Sequence, residues 1–186
     1  MHSQKRTGFS LIELLVLTAL IGLLAGLAMP SLTSALQNQE RCSTLHDLLG
    51  LFALARQHAV MEGVIVTVCP VNSMGACSRD WNNEIYAFSD PDNQRQLTAG
   101  NAPIRVVSTG GSGRIVVRSL HRSYFQFRPS GFVHSDLGNI TWCPNTGSAR
   151  MAGQIIISRG GRARLANDHD GDGIPEDAQG RPLKCS

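Results

Sequence analysis

Lysine is almost missing from this chain. Only Lys5 and Lys184 occur, and every other basic side chain apart from histidine is an arginine. A GC-rich coding sequence accounts for that preference but not for a second shortage. From Ile104 to Arg164 there are nine arginines and one acid, Asp136. That stretch is a basic, arginine-only surface candidate. Aromatics make up 5% of the chain, and none interleaves with the arginines between Arg159 and Arg164. This argues against single-strand recognition by base stacking. No Cys-x-x-Cys pair occurs, and no histidine stands at metal-ligand spacing. The six histidines are scattered, no serine sits in an elbow motif, and no phosphate loop is present. An enzyme is therefore not expected. No internal repeat is visible.

What the chain does have is one long apolar run. Phe9 to Met29 carries a single charge, Glu13. Its 21 residues suffice, as a helix, for a hydrocarbon core of about 30 Å. Met1 to Gly8 is too short and polar to be a secretory signal with its own apolar region. Lys5 and Arg6 precede the span, so the leader stays cytoplasmic and the bulk is exported. A carboxylate inside a spanning segment is expensive and marks a function. An ordinary membrane anchor, whose acid reaches the interface, is the plainer alternative.

Lys5-Arg6-Thr7-Gly8-Phe9-Ser10-Leu11-Ile12-Glu13 resembles the prepilin motif of the type IV pilin and type II secretion pseudopilin superfamily. That motif is a Gly-Phe bond with glutamate at the fifth position after the cut. Pro30 also matches a proline common in pilins. The resemblance implies cleavage between Gly8 and Phe9 by prepilin peptidase and N-methylation of Phe9. The apolar segment then stays on the mature protein. Glu13 would pair with the amino group of Phe9, its own or a neighbour's, within a filament of packed helices. Burying one partner alone is costly, so the pair favours a defined axial register.

Past the span, Leu45, Leu48, Leu49, Phe52, Ala55 and Ala59 recur at helical spacing. The helix is expected to continue, with a kink or local unwinding at Pro30 and an end at Gly63. Beyond Gly63 the pattern turns to strands. Those expected are Val64 to Cys69, Glu84 to Phe88, Ile104 to Val107, Arg114 to Leu120, Tyr124 to Phe127, Asn139 to Cys143 and Gln154 to Ser158. Clusters of glycine, proline, asparagine and aspartate separate them. The expected fold class is α+β, a long N-terminal helix packed against antiparallel sheet. Its parts are a leader at 1–8, a transmembrane and assembly helix at 9–29, a helix continuation at 30–62, and a β-rich exported domain at 63–186. The last holds roughly 120 residues, enough for one compact domain.

The exported part narrows the resemblance. Val68-Cys69-Pro70 before Cys77, Trp81 to Asp90, Phe127-Arg128-Pro129-Ser130-Gly131 and Gly161-Arg162-Ala163-Arg164 are similar to landmarks of the GspH/FimT family of minor pseudopilins. The resemblance implies a pilin-like fold, inner-membrane storage with a periplasmic C-terminal domain, and assembly with other pilins or pseudopilins. One departure is visible. The family often has glycine and tryptophan after its first tryptophan, whereas Asn82-Asn83-Glu84-Ile85-Tyr86 follows Trp81 here.

Arg159, Arg162 and Arg164 form the sharpest functional cluster. In an extended segment Arg162 and Arg164 point to one face. Guanidinium forks suit phosphate oxygens, and such contacts bind a nucleic-acid backbone without reading sequence. In FimT-like members a Gly-Arg-x-Arg motif near the C-terminus binds DNA during natural transformation, and Gly161, Arg162 and Arg164 match it. Solvated arginines at a hairpin end, or arginines paired with neighbouring subunits, are the alternative. A structural GspH-like subunit of a type II secretion pseudopilus is the corresponding alternative for the whole chain.

Two further features concern the C-terminal region. An exported domain can hold disulfides, and spacing suggests Cys69 with Cys77 and Cys143 with Cys185, leaving Cys42 over. Sequence alone leaves other pairings of these five open. Asp168, Asp170 and Asp172, followed by Gly173, resemble the first half of a calcium loop, with the Ile174 carbonyl as a further oxygen. Gln179 stands where such a loop has its bidentate glutamate, and Pro175 is unusual there. Calcium is thus the one cofactor the sequence suggests. A polar turn whose acids counter the preceding arginines is the alternative.

Overall fold

The computed structural model describes residues 10–98, 100–109, 111–119, 122–134 and 138–185, with the backbone alone at 27–30. Gly8, Phe9, Leu120 and Asp136 lie outside the described residues. Helix α1 spans Leu11–Glu62. The chain forms two compact units, one up to Leu36 and one from Gln37 onward.

In the first unit every described side chain is exposed, Glu13 and twelve leucines, isoleucines and valines among them. An 18-residue window of mean hydropathy 2.4 makes this helix long and apolar enough to cross a membrane. The backbone stays helical through Pro30, so the expected unwinding there does not occur. Proline removes one amide and therefore one i→i−4 bond, and the turns on either side carry the helix past it.

The second unit begins with the remainder of α1, which ends at Gly63 in the left-handed region, φ +67°. Eight strands follow: β1 (Val66–Pro70), β2 (Ile85–Ser89), β3 (Arg105–Val107), β4 (Gly113–Ser119), β5 (Phe125–Phe127), β6 (Gly138–Pro144), β7 (Gly153–Ile157) and β8 (Ala163–Leu165). They form two antiparallel sheets with orders β3-β2-β1-β5 and β4-β6-β7-β8. The seven strands expected from sequence are present with ends shifted by a residue or two, and β8 adds an eighth.

Strand register assigns the faces. In the first sheet Val66, Val68, Ile85, Ala87, Val107, Phe125 and Phe127 share one face and join a single core. In the second, Ile115, Ile140, Trp142, Ile155 and Ile157 do the same. The helix joins both. Phe52 meets Phe125 and Phe127 edge-on, with ring centroids 5.4 and 6.2 Å apart. Leu45 lies against Gly153, where any side chain would collide with it. Arg105 of β3 pairs with Asp47 of the helix at 3.0 Å. Trp81 is buried and edge-on to Phe125 at 5.7 Å, so the departure after it does not prevent core packing. Asn82 serves the second sheet instead, accepting the Ile115 amide at 2.6 Å.

The outer face of the first sheet hides a polar network. Thr67 donates to Asp90 at 2.6 Å, and Gln126 donates to Thr67 at 3.0 Å and Asn93 at 2.7 Å. The amides of Gln94 and Arg95 also donate to Asp90. A buried carboxylate with this many donors is compensated within the fold.

Both expected disulfides are present, Cys69–Cys77 and Cys143–Cys185, and Cys42 is free. The second ties the chain end to β6. The tail therefore folds back over the outer face of the second sheet, where Leu183 is buried and Arg114 donates to the Cys185 carbonyl at 2.9 Å.

Candidate nucleic-acid interface

The arginine motif sits on the β7–β8 hairpin. Ser158 and Arg162 close it: the Ser158 amide donates to the Arg162 carbonyl at 3.0 Å, and the Gly161 amide donates to the Ser158 carbonyl at 2.9 Å. The three-residue loop Arg159-Gly160-Gly161 ends in the left-handed region at Gly161, φ +75°. Such loops need glycine at that last position. A side chain at Gly161 would also strike the Gly131 carbonyl. The glycine of the Gly-Arg-x-Arg motif is thus dictated twice by the backbone.

Gly131 belongs to a neighbouring turn of the same form. The Arg128 amide donates to the Phe132 carbonyl at 2.9 Å, and the Gly131 amide to the Arg128 carbonyl at 2.8 Å. The Val133 amide donates to the Arg159 carbonyl at 2.9 Å, locking the two turns side by side. Arg56 of the helix donates through Nε to the Gly131 carbonyl at 3.1 Å. Arg56, Arg128, Arg159 and Arg162 therefore gather at one end of the second unit.

Alternation on β8 does what sequence spacing implied. Ala163 and Leu165 pack against the core, while Arg162 and Arg164 are exposed. Arg159 is exposed as well. Among the described residues, none of these three arginines has a carboxylate within 4.0 Å; the ion pairs found are Arg105–Asp47 and Arg181–Asp177. The Arg164 guanidinium donates to the Leu165 carbonyl at 3.3 Å.

The rest of the arginine-rich stretch does not form one patch. Arg105 is held by Asp47 and Arg114 by the tail. Arg122 lies over the Tyr124 ring at 5.7 Å. Arg118 and Arg164 do share the outer face of the second sheet. They lie on its two edge strands, about 14 Å apart at ordinary strand spacing, and the tail runs beside Arg118. Sequence counts charge along the chain, whereas pairing and strand order decide which charges remain available.

His134 sits inside this cationic end, its ring Nδ1 in close contact with the Arg128 guanidinium. Partial desolvation, then the charges of Arg128 and Arg122, hold it below the ordinary imidazole value of 6.5. Below that ordinary value the unfolded chain takes up a proton that the folded chain resists, so this site's contribution to stability falls as pH falls, and levels off below the folded-state value. Urea midpoints measured from about pH 7.5 to about pH 5 are expected to drop more for wild type than for His134→Gln. Equal slopes would contradict this account.

The family described as Type II transport protein GspH matches residues 44–161. The chain belongs to the GspH family. That match covers more than half the sequence and takes in the helix from Thr44 onward and seven of the eight strands, stopping at Gly161. Solved structures agree on the fold. The type IV minor pilin FimU of Pseudomonas aeruginosa is 16% identical, with a TM-score of 0.53 over 80% of this chain and 96% of that one. The minor pseudopilin EpsH of the Vibrio cholerae type II secretion system is 10% identical, with a TM-score of 0.51 over 73% and 99%. A comparison with curated proteins gives no match. The GspH family and these structures are pilins and pseudopilins, not enzymes.

Proposed function

We propose that this GspH-family chain is a minor pilin or pseudopilin, anchored in the inner membrane by helix α1, whose β7–β8 hairpin captures duplex DNA for uptake. One observation carries the DNA reading. Arg159, Arg162 and Arg164 are exposed on a rigid hairpin, and no described carboxylate neutralises them. Gly160, exposed at the tip, leaves room for close approach of a phosphate, while Gly161 is taken up by the neighbouring turn. The contacts available are to phosphate and not to base edges, so binding is sequence-independent and salt-sensitive.

The N-terminal residues support the filament part of the reading. Prepilin peptidase cuts between Gly8 and Phe9, Phe9 is methylated, and the cut leaves an amino group for Glu13 to pair with. The exposed apolar surface of the first unit is covered by lipid in storage and by neighbouring helices after assembly, and the second unit faces the periplasm.

The test is fluorescence anisotropy of a short DNA duplex with the full chain in detergent. Affinity is expected to fall steeply with salt. The double variant Arg162→Gln, Arg164→Gln is expected to bind about tenfold more weakly, with a salt slope reduced by about two. Binding that ignores salt, or survives the double variant unchanged, would overturn the proposal.

The family description favours a second reading, a structural subunit of a type II secretion pseudopilus. The hairpin borders an open groove of about 610 Å³ lined by Leu49, Ala53, Val60 and Met61 of the helix. A neighbouring pseudopilin would seat there. Absence of DNA binding in low salt would favour this reading.

A further inference from the structure

The loop after β8 is closed at its base. The Ala166 amide donates to the Gln154 carbonyl at 2.8 Å, and the Glu176 amide donates to the Asn167 carbonyl at 3.0 Å. Inside this loop one carboxylate oxygen from each of Asp168, Asp170, Asp172 and Glu176 lies within 4.8 Å of the other three. The three aspartates are exposed, but Glu176 is only 6% exposed. Its Oε2 accepts the His169 amide at 2.8 Å, while its Oε1 is buried with no partner. A buried carboxylate oxygen without a donor is costly. No ion pair among the described residues involves any of the four acids.

We propose that Asp168, Asp170, Asp172 and Glu176 hold a calcium ion. The buried, half-satisfied Glu176 carboxylate carries the inference, since it contributes an oxygen to the group and a cation held there would compensate it. The dimensions suit calcium. Its oxygen ligands stand at 2.3–2.6 Å, so two on opposite sides are about 4.6–5.2 Å apart. Magnesium demands near-ideal octahedral geometry at about 2.0–2.1 Å and keeps several of its waters, so a group of four protein carboxylates suits calcium better. The Ile174 carbonyl and waters would complete the shell.

The geometry also explains the mismatch at Gln179. Its amide donates to Asp177 Oδ1 at 2.8 Å, and its side-chain oxygen accepts from Arg181 at 3.2 Å. It is committed to the next turn, and Glu176 supplies the acid in its place. Amides of Gly171 and Gly173 donate to Asp168 at 2.7 and 2.8 Å. These bonds, the Gly171 one foremost, hold the Asp168 carboxyl below the usual carboxylate range. Four charges fixed this close repel one another, and a divalent ion relieves that repulsion. It would also lower the negative charge on the segment leaving β8, the strand that carries Arg164.

Isothermal titration of the chelator-treated full chain in detergent with calcium chloride tests the site. One saturable site is expected, with Kd on the order of 10⁻⁴ M and magnesium at least about tenfold weaker. Glu176→Gln and Asp170→Asn are each expected to weaken calcium by about tenfold or more. Asp170 is exposed, so its variant keeps the wild-type near-UV circular dichroism even if the Glu176 change disturbs folding. No saturable heat up to about 10 mM calcium, equal affinity for magnesium, or wild-type affinity in Asp170→Asn would each overturn the assignment.

Discussion

Phe52→Ala is expected to cost the second unit about 3–5 kcal/mol, the usual range for deleting a fully buried phenylalanine. For a unit of this size that corresponds to a fall in melting temperature of roughly 10 °C. Phe52 is 1% exposed and touches two rings of β5 edge-on. Phe125 in turn carries Trp81. Removing the Phe52 ring leaves a cavity between helix and sheet that close-packed neighbours cannot fill without moving. The check is a thermal melt followed by near-UV circular dichroism of the buried Trp81 and Trp142. Leu54→Ala is the control, since Leu54 lies on the same helix and is 37% exposed. Equal shifts for the two variants would show that the helix does not depend on this contact.

The second large effect concerns the tail. Replacing Cys143 and Cys185 with alanine removes a crosslink spanning 42 residues. The chain-entropy relation gives about 4 kcal/mol for a loop of that length, against about 2.6 kcal/mol for the Cys69–Cys77 loop. The last residues are then held to the second sheet by little more than buried Leu183 and the Arg114 bond to the Cys185 carbonyl. Two observables follow. The denaturation midpoint drops further than in the Cys69→Ala, Cys77→Ala protein, and trypsin cuts after Lys184 in conditions where wild type resists. A tail that stays protected after loss of the bond would mean that its packing alone suffices.

Much of this was legible in the sequence because the signals are local. The helical spacing of Leu45, Leu48, Phe52, Ala55 and Ala59 marks a buried face, and all five are buried. Gly63 ends the helix because its backbone is left-handed there. Alternating Arg114, Ile115, Val116, Val117 and Arg118 gives the exposed and buried faces of β4. Three features were hidden, each for a physical reason. Strand β8 is three residues long and two of them bracket an arginine, so no apolar run announces it. Asp90 sits in a run of turn residues, and only the fold brings Thr67 and Gln126 to it. Glu176 lies outside the alternating aspartates, and the chain reversal between Asn167 and Glu176 places it among them. At Pro30 the helix continues without unwinding, because the turns on either side supply the bonds that proline cannot.

The interlocked turns at Gly131 and Gly161 have a mechanical consequence. Their main chains are seated against each other so tightly that neither can shift without displacing its companion. The guanidiniums therefore project from a stiff mount, and a bound polyanion needs to freeze side-chain rotors but no main-chain motion, which spares the entropy that a floppy loop would lose. The spacing between the points where the arginines leave the main chain is a property of the mount, set before any encounter takes place.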